Sequence, residues 1–204
     1  EINITTIEEP VEIRIPGLNQ IEINEKLRFS DSLRTVLRQD PDIILIGEIR
    51  DFETLEVAIS AALTGHLVLS TVHTNSAAAT VSRLMQMGAP NYMIASSLSG
   101  IIAQRLVRRL CPYCREKYHA TKEELRQFLI LLNPEDIEEW SKKELCKPVG
   151  CAQCQYTGYL GRLGLFELMP INKEIKKMIA ASASDVDIEE VAIACGMKTL
   201  QQYC

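Results

Sequence analysis

The 204-residue sequence predicts an α/β fold built on a mainly parallel sheet. Short β-branched and leucine runs at 2–7, 43–46 and 67–71 are bounded by glycine, proline or polar residues, the pattern of strands covered on both faces. Amphipathic helical patterns alternate with them, which favours parallel strands joined by helical crossovers. The composition, 47% hydrophobic and 24% charged, supplies enough apolar material for one domain and a satellite.

Taken in order, the strand at 2–7 runs into an acidic turn, Glu8-Glu9-Pro10 with Glu12 beyond it. Isolated Ile13, Ile15, Ile21 and Ile23 around Pro16-Gly17 suggest a small peripheral hairpin. Ser30 is placed to cap a helix over 30–38. The run at 43–46, between Pro41 and Gly47, reads as a buried strand that delivers Glu48 to the sheet edge, where ligands of parallel sheets bind. Helices follow at 52–63, closed by Gly65, and 76–87, closed by Gly88, with the 67–71 strand between them. Asn91 can cap a further helix reaching 107. After Cys111 the texture changes to cysteine pairs and charged helices: Thr121 with Glu124 forms a capping box, and Pro134 suits the first position of another helix. The expected division is 1–110 for the sheet, 111–157 for a cysteine-bearing subdomain and 158–204 for a C-terminal helical region.

A net charge of -5 argues against indiscriminate nucleic-acid binding. No run approaches the roughly 20 apolar residues of a membrane span, and no leader pattern opens the chain, so the expectation is a soluble, non-secreted protein. The chain starts inside a strand pattern and stops at Tyr203-Cys204 without a helix stop signal, which suggests a piece of something longer.

Seven cysteines suit a closed disulfide framework poorly. Cys111-Pro-Tyr-Cys114 and Cys151-Ala-Gln-Cys154 are two C-x-x-C knuckles, each able to grip one side of a tetrahedral zinc ion. The gap between them, about 36 residues, exceeds the usual zinc-ribbon spacing, so the helical insert must fold back on itself. A redox dithiol is the competing reading for Cys111 and Cys114, but such a pair opens a helix after a strand, whereas Cys111 follows a predicted helix and a basic stretch. Structural zinc is favoured. Cys146, Cys195 and Cys204 have no partner at ligand spacing.

By itself Glu48 is better explained as half of an i, i+2 charge pair with Arg50 at the end of a strand emerging into solvent, and His73 serves equally as a core histidine or as a functional imidazole. Several further segments change the balance: 37–51 around Glu48, Leu-Thr-Gly-His-Leu-Val-Leu-Ser-Thr-Val-His-Thr-Asn-Ser-Ala at 63–77, Ala-Gln-Arg-Leu at 103–106, both cysteine pairs, and Gly-Tyr-Leu-Gly-Arg-Leu-Gly-Leu-Phe-Glu-Leu at 158–168. In that order and spacing, over essentially the whole chain, they resemble the hexameric ATPases that drive type II secretion and type IV pilus assembly.

The resemblance implies a RecA-like ATPase core followed by a small, mostly helical zinc-binding subdomain, a homohexamer, and ATP, Mg²⁺ and Zn²⁺ as cofactors. Glu48 falls on the Walker B glutamate, which orients the attacking water and helps hold magnesium, and His73 on the histidine box. Thr71, Thr74 and His66 are their neighbours. Glu8 matches the acidic motif; Glu9 stands where many relatives have aspartate, so Glu8 carries more weight. Arg50, with Arg34 and Arg38 as lesser candidates, would reach phosphates, and Cys111, Cys114, Cys151 and Cys154 would hold the zinc. No G-x-x-x-x-G-K-[ST] occurs, so the loop that cradles phosphates in the family is absent and the chain alone is expected to be inactive. The implied setting is cytoplasmic, at the inner membrane only through platform and assembly partners, with no nucleic acid. In the family the cysteine pairs mark assembly motors. The alternative is a non-catalytic zinc module used for docking.

Overall fold

The computed structural model describes residues 2–24, 27–128 and 134–203. They fall into two compact units: residues 1–104 with 166–204, and residues 105–165.

The first unit is built on β1 (Ile4–Glu8), β2 (Asn19–Glu22), β3 (Ile43–Ile46) and β4 (Leu67–Ser70), in the order β2-β1-β3-β4 with every pairing parallel. Ile7 lies level with Ile46 and with Ile21, so the carboxyl ends of β1 and β3 finish side by side. Ile7, Ile44 and Ile46 are fully buried, and each such side chain contributes about 1.5–3 kcal/mol relative to exposure. The expected hairpin does not form. Ile13 and Ile15 are exposed, while Gln20 accepts from Ile15 N–H and donates to Ile13 O, so only Asn19–Glu22 extends, and it pairs parallel to β1.

Helix α1 (Phe29–Val36) begins after Arg28, and Ser30 lies buried inside it rather than capping it. It ends before 38 because Leu37, Arg38 and Gln39 turn their N–H groups onto the carbonyls of Leu33, Thr35 and Val36. Helix α2 (Phe52–Leu63) has the expected bounds and is capped by Asp51, whose carboxylate accepts from Thr54 N–H. It is apolar almost all round because it serves two cores: Val57, Ala58 and Ala61 pack with Leu33, Val36 and the β1 and β3 side chains, whereas Leu55 and Ile59 join a second cluster. That cluster is completed by α3 (Ala77–Gln86), capped by Ser76; α4 (Asn91–Ser97); α7 (Lys173–Ala180); and α8 (Asp185–Ala194).

The long helix expected from Asn91 ends at Ser97, and residues 100–110 form β5 (Gly100–Leu110). Its alternation is visible in burial, with Ile101 and Ala103 inside and Ile102 outside. The sequence hides it because the outward residues Ile102 and Leu106 are also apolar. The strand pairs with β8 (Tyr159–Pro170), which occupies the start of the region expected to be helical; α7 and α8 lie after it.

The second unit holds the small sheet of β6 (Glu116–Tyr118) and β7 (Leu145–Lys147), paired antiparallel, and helices α5 (Lys122–Phe128) and α6 (Pro134–Lys142). The capping box forms as expected, since Thr121 N–H donates to the Glu124 carboxylate while Glu124 N–H donates to Thr121 Oγ1. Ala120, Leu125 and Ile137 form its small core.

Candidate functional site

The carboxyl ends of β1, β3 and β4 gather most of the residues singled out by sequence. Gly47 allows the chain to leave β3 against β1: a Cβ there would meet Ile7 O at 3.2 Å and Glu8 Cα at 3.4 Å. Gly47 N–H donates to Ile7 O at 2.7 Å, which sets Glu48 beside the end of β1. The Glu48 side chain is only 14% exposed. One oxygen pairs with the Arg50 guanidinium at 2.5 Å. The other, Oε2, is buried with no hydrogen-bond partner, and His73 Nε2 stands 3.4 Å from it. Arg50 is held above its ordinary value by the hydrogen bond and charge of Glu48, with Glu9 adding to the effect.

His73 is no core histidine, because its side chain is 86% exposed. The loop that carries it is tied to the exit of β3, where Thr71 Oγ1 donates to Gly47 O at 2.6 Å and Ile49 N–H donates to Thr71 O at 3.0 Å. Thr74 Oγ1 lies 2.8 Å from Thr80 Oγ1. Glu8, at the end of β1, accepts from Thr6 Oγ1 at 2.6 Å and from Gln20 Nε2 at 3.1 Å. Two candidates lie elsewhere: Arg34 pairs with Glu53 at 3.0 Å, and the His66 ring contacts Ala61 O and Thr64 at the end of α2. The edge thus offers a half-satisfied buried carboxylate with an imidazole at one of its oxygens and a guanidinium at the other. An orphaned carboxylate oxygen in such a place suits a water or a cation.

The four cysteines of the second unit converge. All four Sγ atoms lie within 4.8 Å of one another, with Cys111–Cys151 at 3.9 Å and Cys114–Cys154 and Cys151–Cys154 at 3.8 Å. A tetrahedron with metal–sulfur bonds of about 2.3 Å places its sulfurs about 3.8 Å apart, so the donor set fits a metal ion. Backbone N–H groups point at the sulfurs: Gly150 at Cys114, and both Cys151 and Gly158 at Cys154. Gly158, at φ +76°, is required here, since a Cβ would come within 2.5 Å of Pro148 Cβ. Burial pushes the Cys154 thiol up, but the N–H donors of Cys151 and Gly158 and the neighbouring thiols outweigh it and lower it to about 6. At Cys114 burial wins over the Gly150 N–H and, with the thiols around it, raises the group to about 11. Cys146 and Cys195 lie outside the cluster, and Cys204 is outside the described residues. The signal that sequence reasoning left unused is Glu167, a carboxylate 2% exposed in the middle of β8.

An open parallel sheet with helices defines an α/β protein, and its acidic and imidazole groups gather at the carboxyl ends of the strands. The chain belongs to the type II/IV secretion system protein family, whose model matches residues 1–203. It is 44% identical over 98% of its length to the type II secretion system protein HxcR of Pseudomonas aeruginosa, covering 38% of that protein. It is 46% identical, again over 98%, to the type IV pilus assembly ATPase PilB of Acinetobacter baylyi, covering 34% of it. Among solved structures, the pilus retraction motor PilT with bound ADP matches 98% of the chain at a TM-score of 0.65 and 28% identity, the chain covering 46% of it. The ATPase DotB of Legionella pneumophila, at 24% identity and a TM-score of 0.59 over 94% of this chain and 42% of that one, shares the fold. The chain therefore spans less than half the length of each of these relatives.

Proposed function

We propose that this chain is part of a hexameric ATPase motor that hydrolyses ATP to power pilus or pseudopilus assembly in a type IV pilus or type II secretion system. The buried, unpartnered Oε2 of Glu48 at the carboxyl end of β3, with His73 and Arg50 beside it, carries this reading. Glu48 takes the role of orienting the attacking water, accepting its hydrogen through the free oxygen while Arg50 holds the other. His73, exposed next to that oxygen, is placed to donate to a phosphate oxygen or to the water. Glu8, one strand away, lends a second carboxylate for magnesium or its waters, and Thr71 ties the His73 loop to the exit of β3. Magnesium bound with ATP spreads the negative charge of the phosphates during transfer. No G-x-x-x-x-G-K-[ST] occurs in these 204 residues, which span less than half the length of the relatives above.

The edge strand β4 supports the same view. Among the described residues it pairs on one side only, with β3, which leaves its other backbone edge open to a further strand. In the second unit the four cysteines hold a structural zinc, and the resulting subdomain marks an assembly motor. Partners at an inner-membrane platform, and a cytoplasmic location beside it, follow from the same proposal. Among the described residues no helix is long and apolar enough to cross a membrane.

ATP turnover by the whole natural protein tests the reading. Glu48→Gln should lower kcat by roughly 10²–10⁴-fold, and an unchanged rate would overturn the assignment. The 204-residue chain alone should show no turnover; steady hydrolysis abolished by the same substitution would refute that part.

A further inference from the structure

Resting on the hydrolytic reading of the sheet edge, we propose that Glu167 is a positioning residue that holds the His73 loop in register with Glu48. Strand β8 alternates, with Phe166 and Leu168 more than half exposed, while Glu167 and Met169 are 2% and 0% exposed. Glu167 is therefore buried on the same face of β8 as Met169, a member of the large apolar cluster, where a carboxylate without partners would be costly. Both of its oxygens are used. Oε1 accepts from Ala77 N–H at 2.7 Å, and Oε2 accepts from Leu200 N–H at 3.2 Å.

Ala77 is the first residue of α3, fully buried, and directly follows the loop 71–76. Within that loop Val72 packs against the core and Thr74 Oγ1 meets Thr80 Oγ1 of α3, and both of its ends are anchored as well. Its start is bound to the exit of β3 through Thr71, and its end is bound to Glu167 through Ala77. His73 lies between them, exposed, with little packing of its own to hold it near Glu48 Oε2. The negative charge of Glu167 also sits at the positive end of α3, which strengthens the second anchor. Because its other oxygen holds Leu200, the same carboxylate links the C-terminal segment to the loop.

Two variants separate this role from general stability. Glu167→Gln keeps the shape but has one acceptor where two N–H donors converge, so one donor is faced by an NH₂ group. Ala77→Pro removes the donor from the other side at a helix position that tolerates proline, after a Ser76 already extended at φ -147° and ψ 169°. In the whole natural protein with isotope-labelled histidine rings, Glu48→Gln should shift the His73 signal. In either variant background that shift should fall by half or more, while the His66 and His119 signals stay in place. A full-sized shift in both backgrounds would overturn the inference. In ATP turnover each variant should lower kcat about tenfold with little change in KM. Unchanged kcat in an active wild-type protein would also overturn it. An inactive wild type, or a Glu48→Gln variant as fast as wild type, would instead refute the hydrolytic reading, leaving the ring signals to decide whether Glu167 positions His73.

Discussion

Glu48 and Glu167 are both carboxylates held away from water, and their difference is chemical. Glu167 has both oxygens saturated by backbone N–H groups, whereas Glu48 keeps one buried oxygen open beside an imidazole. A saturated carboxylate organises structure; an open one at a sheet edge is available for a water or a cation. The cysteines show the same graded preparation. Cys154 is lowered from an ordinary 9.0 to about 6 by the N–H groups and thiols around it, while burial raises Cys114 to about 11. A lowered folded value stabilises above the ordinary value and loses its effect as pH falls through the folded one. A raised value makes metal compete with a proton. Both effects weaken metal binding on acidification. Zinc measured in the purified protein by atomic absorption should therefore be stoichiometric at neutral pH and be lost progressively on acidification. Retention under acid would contradict this.

At the scale of elements, those that matched expectation carry their own start signals. Helix α2 has Asp51 as cap and the Gly65 stop, and the Thr121–Glu124 box starts α5. Replacing Asp51 with alanine frees the Thr54 N–H at the start of a helix that serves both cores. It should destabilise the first unit by about 1 kcal/mol, read from the urea midpoint; no change would mean that the cap is redundant. Elements that departed from expectation depend on partners distant in sequence. Residues 98–107 satisfy a helical pattern locally, yet they pair with β8, some 60 residues on, as a strand. The stretch 13–23 has hairpin spacing, but Ile13 and Ile15 find nothing to pack against, and Asn19–Glu22 takes its ladder from β1 instead. Ser30 looks like a cap until the burial of α1 against the sheet draws it inside.

At the scale of the molecule, the two units rest on different physics. Among the described residues the first has two extended apolar clusters, and the second has the small cluster of Ala120, Leu125 and Ile137 and four converging sulfurs. A metal held by those four sulfurs would act as a local staple for the second unit. Chelation should therefore expose the amides of 111–114 and 150–158 to hydrogen exchange while those of β1 and β3 keep their protection, as followed by mass spectrometry. Equal loss in both would show that the metal is not a local staple. The sequence by itself determined the parallel α/β class, the buried strand that ends at Glu48, the cap of α2 and the two cysteine knuckles. Each of these is written in contiguous residues whose spacing, burial pattern or side-chain chemistry acts locally. Only the tertiary structure decided that β5 is a strand, that His73 is exposed beside Glu48 while Arg34 turns away to Glu53, that four sulfurs separated by a long insert meet, and that Glu167 is buried on the α3 terminus. Those outcomes are set by which distant groups compete for the same hydrogen bonds and the same dry volume, and that competition exists only once the chain has folded.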